Sequence, residues 1–456
     1  MLSIGLIAAL ANLGKAVAPF KKGPDYIDAG WLAMAAARPC HNLDPFLFSD
    51  STVCHSFIHH SRSADISIVE GNRGLYDGLD VSGTTSTAAV ARLIASPVIL
   101  CLDCTKSTRT MAAVVLGCLH FDPDVNIAGV VLNRVAGSRH ERILRTSIES
   151  HCGVSVVGSI PKLTSQDFPE RHMGLTPTPE HVRAADSIAA ATRVAQSHLD
   201  LAAISRIAEK AAQTPVTCAS DTGEVLACDA SAVAPEFSGP QRPRVGVIKD
   251  SAFQFYYPEN IGALAAAGAD IVHISPLAAG GLPEVDALYI GGGFPETHAK
   301  ALSENLEFRT TVKSAAAEGM PIYAECGGLI YLGQALVMEQ TYRMAGVLPI
   351  VFGFSERPQG HGYTKVSVER DNPYFTVGSR LRGHEFHYSS VLQYNGTDAD
   401  LVFSIEKGRG IIDGKDGLCA GNVLATYTHL HALGCPQWAA SIVRLAAAHM
   451  SAKSAS

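Results

Sequence analysis

The 456-residue chain lacks several features that would assign it to a special class of protein. It has no long run of lysine and arginine, and its formal net charge of −7 argues against nucleic-acid binding as a main role. No apolar stretch is long enough to span a bilayer. Its 11 cysteines are scattered without a framework, which is typical of free thiols in a reducing compartment. We therefore expect a cytoplasmic protein that binds neither nucleic acid nor a membrane.

Two short patterns indicate ordinary structure. Residues 1–20 are apolar, but no basic segment precedes them and Lys15 falls among them, so they predict a packed helix and a strand rather than a signal peptide. Cys101 and Cys104 form the one CxxC pair in the sequence. They lie in an apolar run without a second pair, which predicts a buried strand rather than a metal site.

Composition and patterning predict an α/β protein. Hydrophobic residues make up 47% and charged residues 17% of the chain, as in globular proteins, and the length suggests two to three domains. In the first half, short apolar runs alternate with helical patterns, which predicts a parallel sheet covered by helices on both faces. The predicted strands of this half are residues 16–20, 66–70, 98–102, 127–132 and 154–160.

The run M-P-I-Y-A-E-C-G-G-L-I-Y-L-G-Q, residues 320–334, predicts a short buried strand that turns sharply into a helix. Such a turn presents its central residue, here Cys326, as in the nucleophile elbow of hydrolases. Gly327 and Gly328 remove side chains that would block a substrate. N–H groups at a helix start can lower a thiol pKa and hold an oxyanion. A buried strand cysteine beside a glycine turn explains the same residues equally well.

Two further runs supply partners for a catalytic cysteine. The run N-V-L-A-T-Y-T-H-L-H predicts a strand that ends in His429 and His431, and a cysteine nucleophile needs a base that is close in space. Upstream, A-L-Y-I-G-G-G-F-P-E predicts a strand that breaks into three glycines. The backbone N–H of Gly292 or Gly293 would supply a second oxyanion donor.

These three runs, in this order, resemble a class I glutamine amidotransferase domain. They are most similar to the subgroup attached to cobyrinic acid a,c-diamide synthases and cobyric acid synthases. That subgroup carries its histidine in a Tyr-x-His pattern and lacks the usual third acidic residue, and the run Y-T-H here fits it. The resemblance implies a set of catalytic positions: Cys326 as the nucleophile, His429 as the base, and Gly292, Gly293 and Gly327 around the oxyanion.

Polar clusters follow three predicted strands of the first half, and in parallel sheets ligands gather at the carboxyl ends of strands. The clusters are K-K-G-P-D-Y-I-D from Lys21, E-G-N-R-G-L-Y-D-G from Glu70, and N-R from Asn133. Lysines and acids around a Gly-Pro turn, and an acid before Gly-rich backbone, can hold phosphate oxygens and Mg²⁺. Solvated turns and polar loops contain the same residue types.

These clusters, with the runs GLIAAL, RPCHNLD and PERHMGL, resemble the N-terminal half of the cobyrinic acid a,c-diamide synthase family, a P-loop nucleotide fold similar to dethiobiotin synthetase. The resemblance implies Asp25 and Glu70 as Mg²⁺ ligands, Lys21 at the ATP phosphates or the substrate carboxylate, and Asn133 near adenine. The family's G-x-x-x-x-G-K-[ST] loop, expected before GLIAAL, does not occur in the sequence. Either the start lies further upstream or the chain is truncated.

Residues 199–243 separate the two halves. They open with a helical pattern over 199–212 and then lose periodicity toward the turn-rich run E-F-S-G-P-Q-R-P. We predict an ATP- and tetrapyrrole-binding synthase domain over 1–198, a helix and linker over 199–243, and an amidotransferase domain over 244–450. Both domains are expected to be doubly wound α/β folds.

The resemblance implies a carbon–nitrogen ligase. Cys326 would release ammonia from glutamine, while the first domain would use ATP and Mg²⁺ to activate a carboxylate that ammonia converts into an amide. The family amidates the a and c acetate arms of cobyrinic acid in cobalamin biosynthesis, so ATP, L-glutamine and a tetrapyrrole are the expected partners. A homodimer stays open, as do the roles of His384, His387 and His431. The alternatives are amidation of sirohaem or sirohydrochlorin, or a truncated chain with only glutaminase or binding activity.

Overall fold

The structure, a computed structural model, consists of two units. Unit 1 comprises Met1–Pro45 and Ser49–Gly223, and unit 2 comprises Phe46–Phe48 and Glu224–Ser456. Most of the run E-F-S-G-P-Q-R-P and part of the run PERHMGL lie outside the described residues. Among the residues that are described, no helix has both the length and the apolar character that a membrane crossing requires. The described residues are 1–163, 170–171, 174–178, 183–213, 216 and 241–455.

Unit 1 shows the predicted alternation of strands and helices. Its described elements are α1 (Leu2–Asn12), β1 (Val17–Lys22), α2 (Ile27–Ala36), β2 (His41–Leu43), α3 (Asp50–Ser61), β3 (Ile66–Glu70), α4 (Thr87–Leu93), β4 (Val98–Asp103), α5 (Thr110–Phe121), β5 (Ile127–Val135), α6 (Ser138–Cys152), β6 (Val156–Pro161), β7 (Glu170–Arg171), β8 (Gly174–Leu175), α7 (Ala184–His198) and α8 (Leu201–Ala211).

The parallel strands of unit 1 form two sheets rather than one. Their orders are β2-β1-β3 and β4-β5-β6, and within each sheet the neighbours run parallel. Strands β3 and β4 both line a cavity of about 340 Å³, together with Leu2 and Leu6 of α1. Cys101 on β4 lines this cavity and is exposed, so the prediction that both CxxC cysteines lie on a buried strand is wrong for Cys101. Helix α8, which the sequence pattern placed in the linker, packs against β3 and β6.

Unit 2 is built around a larger sheet. Its described elements are β9 (Arg244–Ile248), β10 (Phe253–Phe255), α9 (Pro258–Ala266), β11 (Asp270–Ile274), β12 (Ala287–Ile290), β13 (Gly292–Gly293), α10 (Ala299–Glu304), α11 (Leu306–Ala317), β14 (Ile322–Glu325), α12 (Gly327–Leu332), β15 (Ala335–Val337), β16 (Thr341–Arg343), β17 (Ile350–Phe354), β18 (Gly360–Val368), β19 (Arg380–His387), β20 (Ser389–Tyr394), β21 (Leu401–Lys407), β22 (Lys415–Ala420), β23 (Val423–Thr426), β24 (His429–Leu430) and α13 (Gln437–Ala455).

Ten of these strands form one continuous sheet in the order β11-β9-β12-β14-β23-β22-β21-β18-β19-β24. Strands β12, β14 and β23 are buried along their whole length and pair in parallel, as expected for short apolar runs covered on both faces. The sheet continues beyond β23 through antiparallel pairs to β24. The carboxyl ends of β12, β14 and β23 therefore meet at one edge, where the glycines, the cysteine and the histidine of the sequence analysis lie.

Candidate active site

Cys326 occupies the sharp turn that the sequence predicts. Strand β14 ends at Glu325, and α12 begins at Gly327. Cys326 has φ +47° and ψ −96°, a backbone conformation that side-chain-bearing residues rarely adopt and that recurs at functional sites. Its N–H donates to the carbonyl oxygen of Thr426 at 2.7 Å, which ties the turn to the end of β23.

Three glycines close around this turn. A Cβ atom on Gly327 would lie 3.1 Å from the backbone nitrogen of Gly293, and a Cβ on Gly292 would lie 2.5 Å from Cε1 and 3.2 Å from Nε2 of His429. A side chain at Gly292 would therefore displace the ring of His429, and one at Gly327 would press on the backbone of Gly293. The structure therefore brings Gly292, Gly293, Gly327 and His429 together beside the turn that carries Cys326.

The thiol of Cys326 is buried, and its surroundings determine its protonation. Burial raises its pKa, and the carboxylate of Glu296 raises it further, while the N–H of Gly327 acts in the opposite direction. The protonated thiol is therefore the resting form at neutral pH. If Cys326 acts as a nucleophile, a neighbouring group would have to remove this proton, because the thiolate is the reactive form.

His429 is the histidine that faces the glycines. It opens β24 and is paired with His384 of β19. The two rings stack with centroids 4.9 Å apart and planes 11° apart. Burial and the neighbouring histidines hold the pKa of His384 well below its usual range, so His384 is neutral, and its Nε2 lies 2.8 Å from the hydroxyl of Tyr257. His384 thus packs against the ring of His429 without adding charge.

The other two histidines point elsewhere. Nε2 of His431, the second candidate base, lies 3.6 Å from a carboxylate oxygen of Glu259, and its Nδ1 accepts from the N–H of Leu433. His387 stacks on Tyr427 with ring centroids 3.6 Å apart. The geometry places His429, and not these rings, against Gly292.

Asp416 is a residue that sequence reasoning missed. Its buried carboxylate accepts from the N–H groups of Tyr427 and Thr428 and from the hydroxyls of Thr426 and Thr428, at 2.7 to 3.1 Å. The N–H groups of Tyr427 and Thr428 therefore bind the carboxylate instead of a neighbouring strand, and β23 ends at Thr426. The predicted single strand ending in His429 is therefore interrupted, and His429 sits on the separate strand β24. An isolated acid on β22 carries no sequence signal for this role.

In unit 1, three of the predicted residues form a charged cluster. Lys21 and Glu70 are register partners on β1 and β3, and Nζ of Lys21 lies 2.6 Å from Glu70 and 2.7 Å from Asp28. Burial alone would lower the pKa of Lys21, but Glu70, Asp28 and Asp25 together raise it. Burial and the charge of Asp28 raise the pKa of Asp25 to about 6.

The donor set of this cluster fits Mg²⁺. Among the described residues, Lys21 forms ion pairs with two of its three carboxylates, Asp28 and Glu70, and the third, Asp25, acts on Lys21 through its charge. Burial first, and then the negative charge of Asp28, raise the pKa of Asp25, and a divalent cation would offset that negative charge. Carboxylate oxygens are also the ligands that Mg²⁺ prefers.

Asn133 lies apart from this cluster in sheet position. It is near the end of β5, paired with Asp103 of β4, and therefore belongs to the other three-stranded sheet. Its side-chain oxygen accepts from the N–H of Arg134 at 2.9 Å. The carboxamide thus binds the next residue of its own strand, and its role near adenine stays a prediction.

Two family models match the chain. One, described as a CobQ/CobB/MinD/ParA nucleotide binding domain, matches residues 1–175. The other, described as a CobB/CobQ-like glutamine amidotransferase domain, matches residues 244–436. The predicted pair of α/β domains, a P-loop NTPase-like domain followed by a glutamine amidotransferase domain, is confirmed.

Curated relatives match over nearly the full length. The cobyrinate a,c-diamide synthase of Magnetococcus marinus is 40% identical over 444 residues, which cover 97% of this chain and 93% of the relative. The cobyrinate a,c-diamide synthase of Archaeoglobus fulgidus is 38% identical over 435 residues, covering 95% of this chain and 91% of the relative. Both halves of the chain are thus matched in one relative and in the same order. The chain belongs to the cobyrinate a,c-diamide synthase family.

Proposed function

We propose that this protein is a glutamine-hydrolysing carbon–nitrogen ligase that amidates the a and c acetate carboxylates of cobyrinate with the use of ATP. The observation that carries the proposal is that relatives named for this activity align with both units of the chain. The convergence of Cys326, His429 and the glycines in unit 2 supports the glutamine half of the reaction.

In the glutamine half, His429 takes the proton of the Cys326 thiol, and the sulfur attacks the side-chain amide carbon of glutamine. The C–N bond breaks, ammonia leaves with the proton that His429 returns, and a glutamyl thioester remains. Water then hydrolyses the thioester to glutamate. Backbone N–H groups of Gly327 and of Gly292 or Gly293 are the proposed oxyanion donors.

In the ATP half, the cluster of Lys21, Asp25 and Glu70 is the proposed phosphate and metal site, with Asn133 near adenine. Bound Mg²⁺ would offset negative charge on the transferred phosphoryl group. Asp25 and Glu70 are the proposed ligands. The ammonium of Lys21 is already positioned by Glu70 and Asp28, so it can meet phosphate or carboxylate oxygens without a large loss of side-chain freedom.

The decisive experiment incubates the chain with glutamine, ATP and Mg²⁺, and with cobyrinate or sirohydrochlorin as acceptor. Mass spectrometry counts the amides formed, and glutamate and ADP are measured in parallel. We expect two amides on cobyrinate, with one ADP and one glutamate formed for each. Amidation of sirohydrochlorin alone would reassign the substrate. Glutaminase activity without ATP turnover on any acceptor would overturn the proposed ligase.

A further inference from the structure

The side chain of Glu325, which directly precedes Cys326, lies against the predicted base. Its oxygen Oε2 is 3.5 Å from Nδ1 of His429, and both side chains are at most 1% exposed. Among the described residues, no lysine or arginine forms an ion pair with this carboxylate. A buried carboxylate is costly unless polar groups compensate it, so its few neighbours determine what it does.

Two donors hold the Glu325 carboxylate in place. The backbone N–H of Leu430 donates to Oε1 at 3.1 Å, and the hydroxyl of Tyr289 donates to Oε2 at 3.1 Å. Leu430 is the residue next to His429 in β24. The carboxylate therefore fixes the backbone that carries the histidine and faces the histidine ring at the same time.

The two nitrogens of His429 face different surroundings. Nδ1 faces Glu325, whereas the Nε2 and Cε1 edge faces Gly292, whose missing Cβ would lie 3.2 and 2.5 Å from these atoms. A carboxylate at Nδ1 favours the tautomer with its proton on Nδ1. Nε2 is then an acceptor on the side of the glycines, which is the state that a general base requires.

We propose that Glu325 is a positioning residue for glutamine hydrolysis that replaces the third acidic residue absent from this subgroup. Glu325 lies on β14, one residue before Cys326, and not on β24, which carries the histidine. It holds the tautomer and orientation of His429, and it stabilises the imidazolium that forms when the thiol loses its proton. This assignment rests on the proposed function of Cys326 and His429.

Other carboxylates of the region have different partners. Glu259 lies 3.6 Å from Nε2 of His431, and Asp416 accepts from the backbone N–H groups of Tyr427 and Thr428. Removal of the Glu325 carboxylate therefore tests its effect on His429, the proposed base. Glu259→Gln removes a buried carboxylate beside the neighbouring histidine and serves as the matched control.

Glu325→Gln preserves the size of the side chain and should reverse the tautomer of His429. If the substituted amide keeps its oxygen on the N–H of Leu430, its NH₂ group faces Nδ1 of His429, which must then accept. The imidazole proton moves to Nε2, where it blocks the base. We expect glutamine-dependent kcat to fall by about 10²- to 10⁴-fold with little change in KM for glutamine.

The test measures glutamate release, ammonium-supported amidation and the tautomer of His429 by ¹⁵N NMR of histidine-labelled protein. In Glu325→Gln we expect loss of glutaminase turnover, retained ammonium-supported amidation and a proton shifted from Nδ1 to Nε2. Glu325→Asp should recover part of the turnover, and Glu259→Gln should retain it. Retention of both wild-type turnover and the Nδ1 tautomer in Glu325→Gln would overturn the proposal.

The ammonium reaction distinguishes a failure of the proposed ligase function from a failure of the role proposed for Glu325. If the wild-type chain fails to amidate cobyrinate with ammonium, the proposed ligase function fails, while glutamate release still tests Glu325. If Glu325→Gln does not fold, the Glu325→Asp variant and Tyr289→Phe carry the test. Tyr289→Phe removes one donor to the carboxylate without touching His429, and unchanged turnover in both variants would contradict the positioning role.

Discussion

The two candidate sites differ in how firmly the surrounding structure holds their residues in place. In unit 2 a continuous ten-stranded sheet brings Cys326, His429 and Gly292 to one edge, and the surroundings of each are fixed by short contacts. In unit 1 the charged cluster around Lys21 sits on one of two three-stranded sheets, while Asn133 sits on the other. The candidate glutamine site is thus preorganised by backbone geometry, whereas the proposed ATP site is held mainly by the ion pairs that Lys21 forms with Asp28 and Glu70.

Removal of the proposed nucleophile is the strongest test of unit 2. Cys326→Ser should abolish glutamine-dependent amidation but leave the reaction with free ammonium, because the hydroxyl is a far weaker nucleophile here and the other unit is untouched. Steady-state assays with each nitrogen donor check this. Cys419→Ser, a change to a half-buried thiol of the same unit, is the control and should keep both activities. Loss of the ammonium reaction in Cys326→Ser would break the proposed division of labour.

The matching test of unit 1 is Glu70→Gln. Loss of one carboxylate leaves Lys21 paired with Asp28 but weakens the proposed Mg²⁺ site, so amidation with either nitrogen donor should fall by about 10²-fold or more. Alkylation of Cys326 by iodoacetamide should proceed at the wild-type rate. The control is Glu141→Gln on the surface of α6. Undiminished ATP turnover in Glu70→Gln would remove Glu70 from the metal site.

A single methyl group tests whether the glutamine site is preorganised. In Gly292→Ala the added Cβ would lie 2.5 Å from Cε1 of His429, so the ring must move. We expect glutaminase turnover to fall by about 10²-fold, because small displacements of catalytic groups have effects of this size. Gly262→Ala in α9 meets no atom within 4 Å and should leave turnover unchanged. Equal activities of the two variants would show that the site adapts.

The smallest expected effect concerns the charge balance of unit 1. Burial and the charge of Asp28 raise the pKa of Asp25 from its usual 3.8 to about 6 in the folded chain. Folding therefore disfavours the ionised form of Asp25. The contribution of the protonated carboxyl group to the free energy of unfolding is complete below the pKa of the unfolded chain, and it is lost as the pH rises toward 6. Asp25→Asn keeps an acceptor for the N–H of Asp28 and should stabilise the chain at pH 7 by roughly 1 kcal/mol.

Thermal unfolding at pH 7 and pH 4 measures this difference, and the gain should largely disappear at pH 4. A gain that is equal at both pH values would point to packing instead of charge. Addition of Mg²⁺ sharpens the test, since a bound cation should stabilise the wild-type chain more than the Asp25→Asn variant.

Turn chemistry and strand patterns were predictable from the sequence, but long-range polar contacts were not. Strand β3 has the predicted bounds, and the strand–turn–helix at Cys326 forms as expected. Strand β1 extends past the predicted Phe20 to Lys22, because the acids that pair with Lys21 allow a lysine to be buried within a strand. Glu70 is 49 positions from Lys21, and Asp28 lies at the start of α2, so local pattern assigns the lysines to a loop.

The polar framework of the glutamine site was beyond local pattern for the same reason. Glu325 meets His429 across 104 positions of chain, and Asp416 shapes residues 426–428 from a neighbouring strand. Neither acid lies in a spacing that predicts its partner. The glycines were easier to assign, since close backbone approach leaves a signature in the sequence itself.

The separation of the two sheets in unit 1 affects how this unit unfolds locally. Strands β4 to β6 have their own core, which includes Leu132 of β5 and Leu144 and Ile148 of α6. Helix α8 packs against both β3 and β6, so side-chain packing rather than a shared backbone ladder joins the sheets in the described part of the chain. Each half can therefore exchange its amide hydrogens as a separate cooperative segment. A nucleotide that contacted both halves would merge these segments into one.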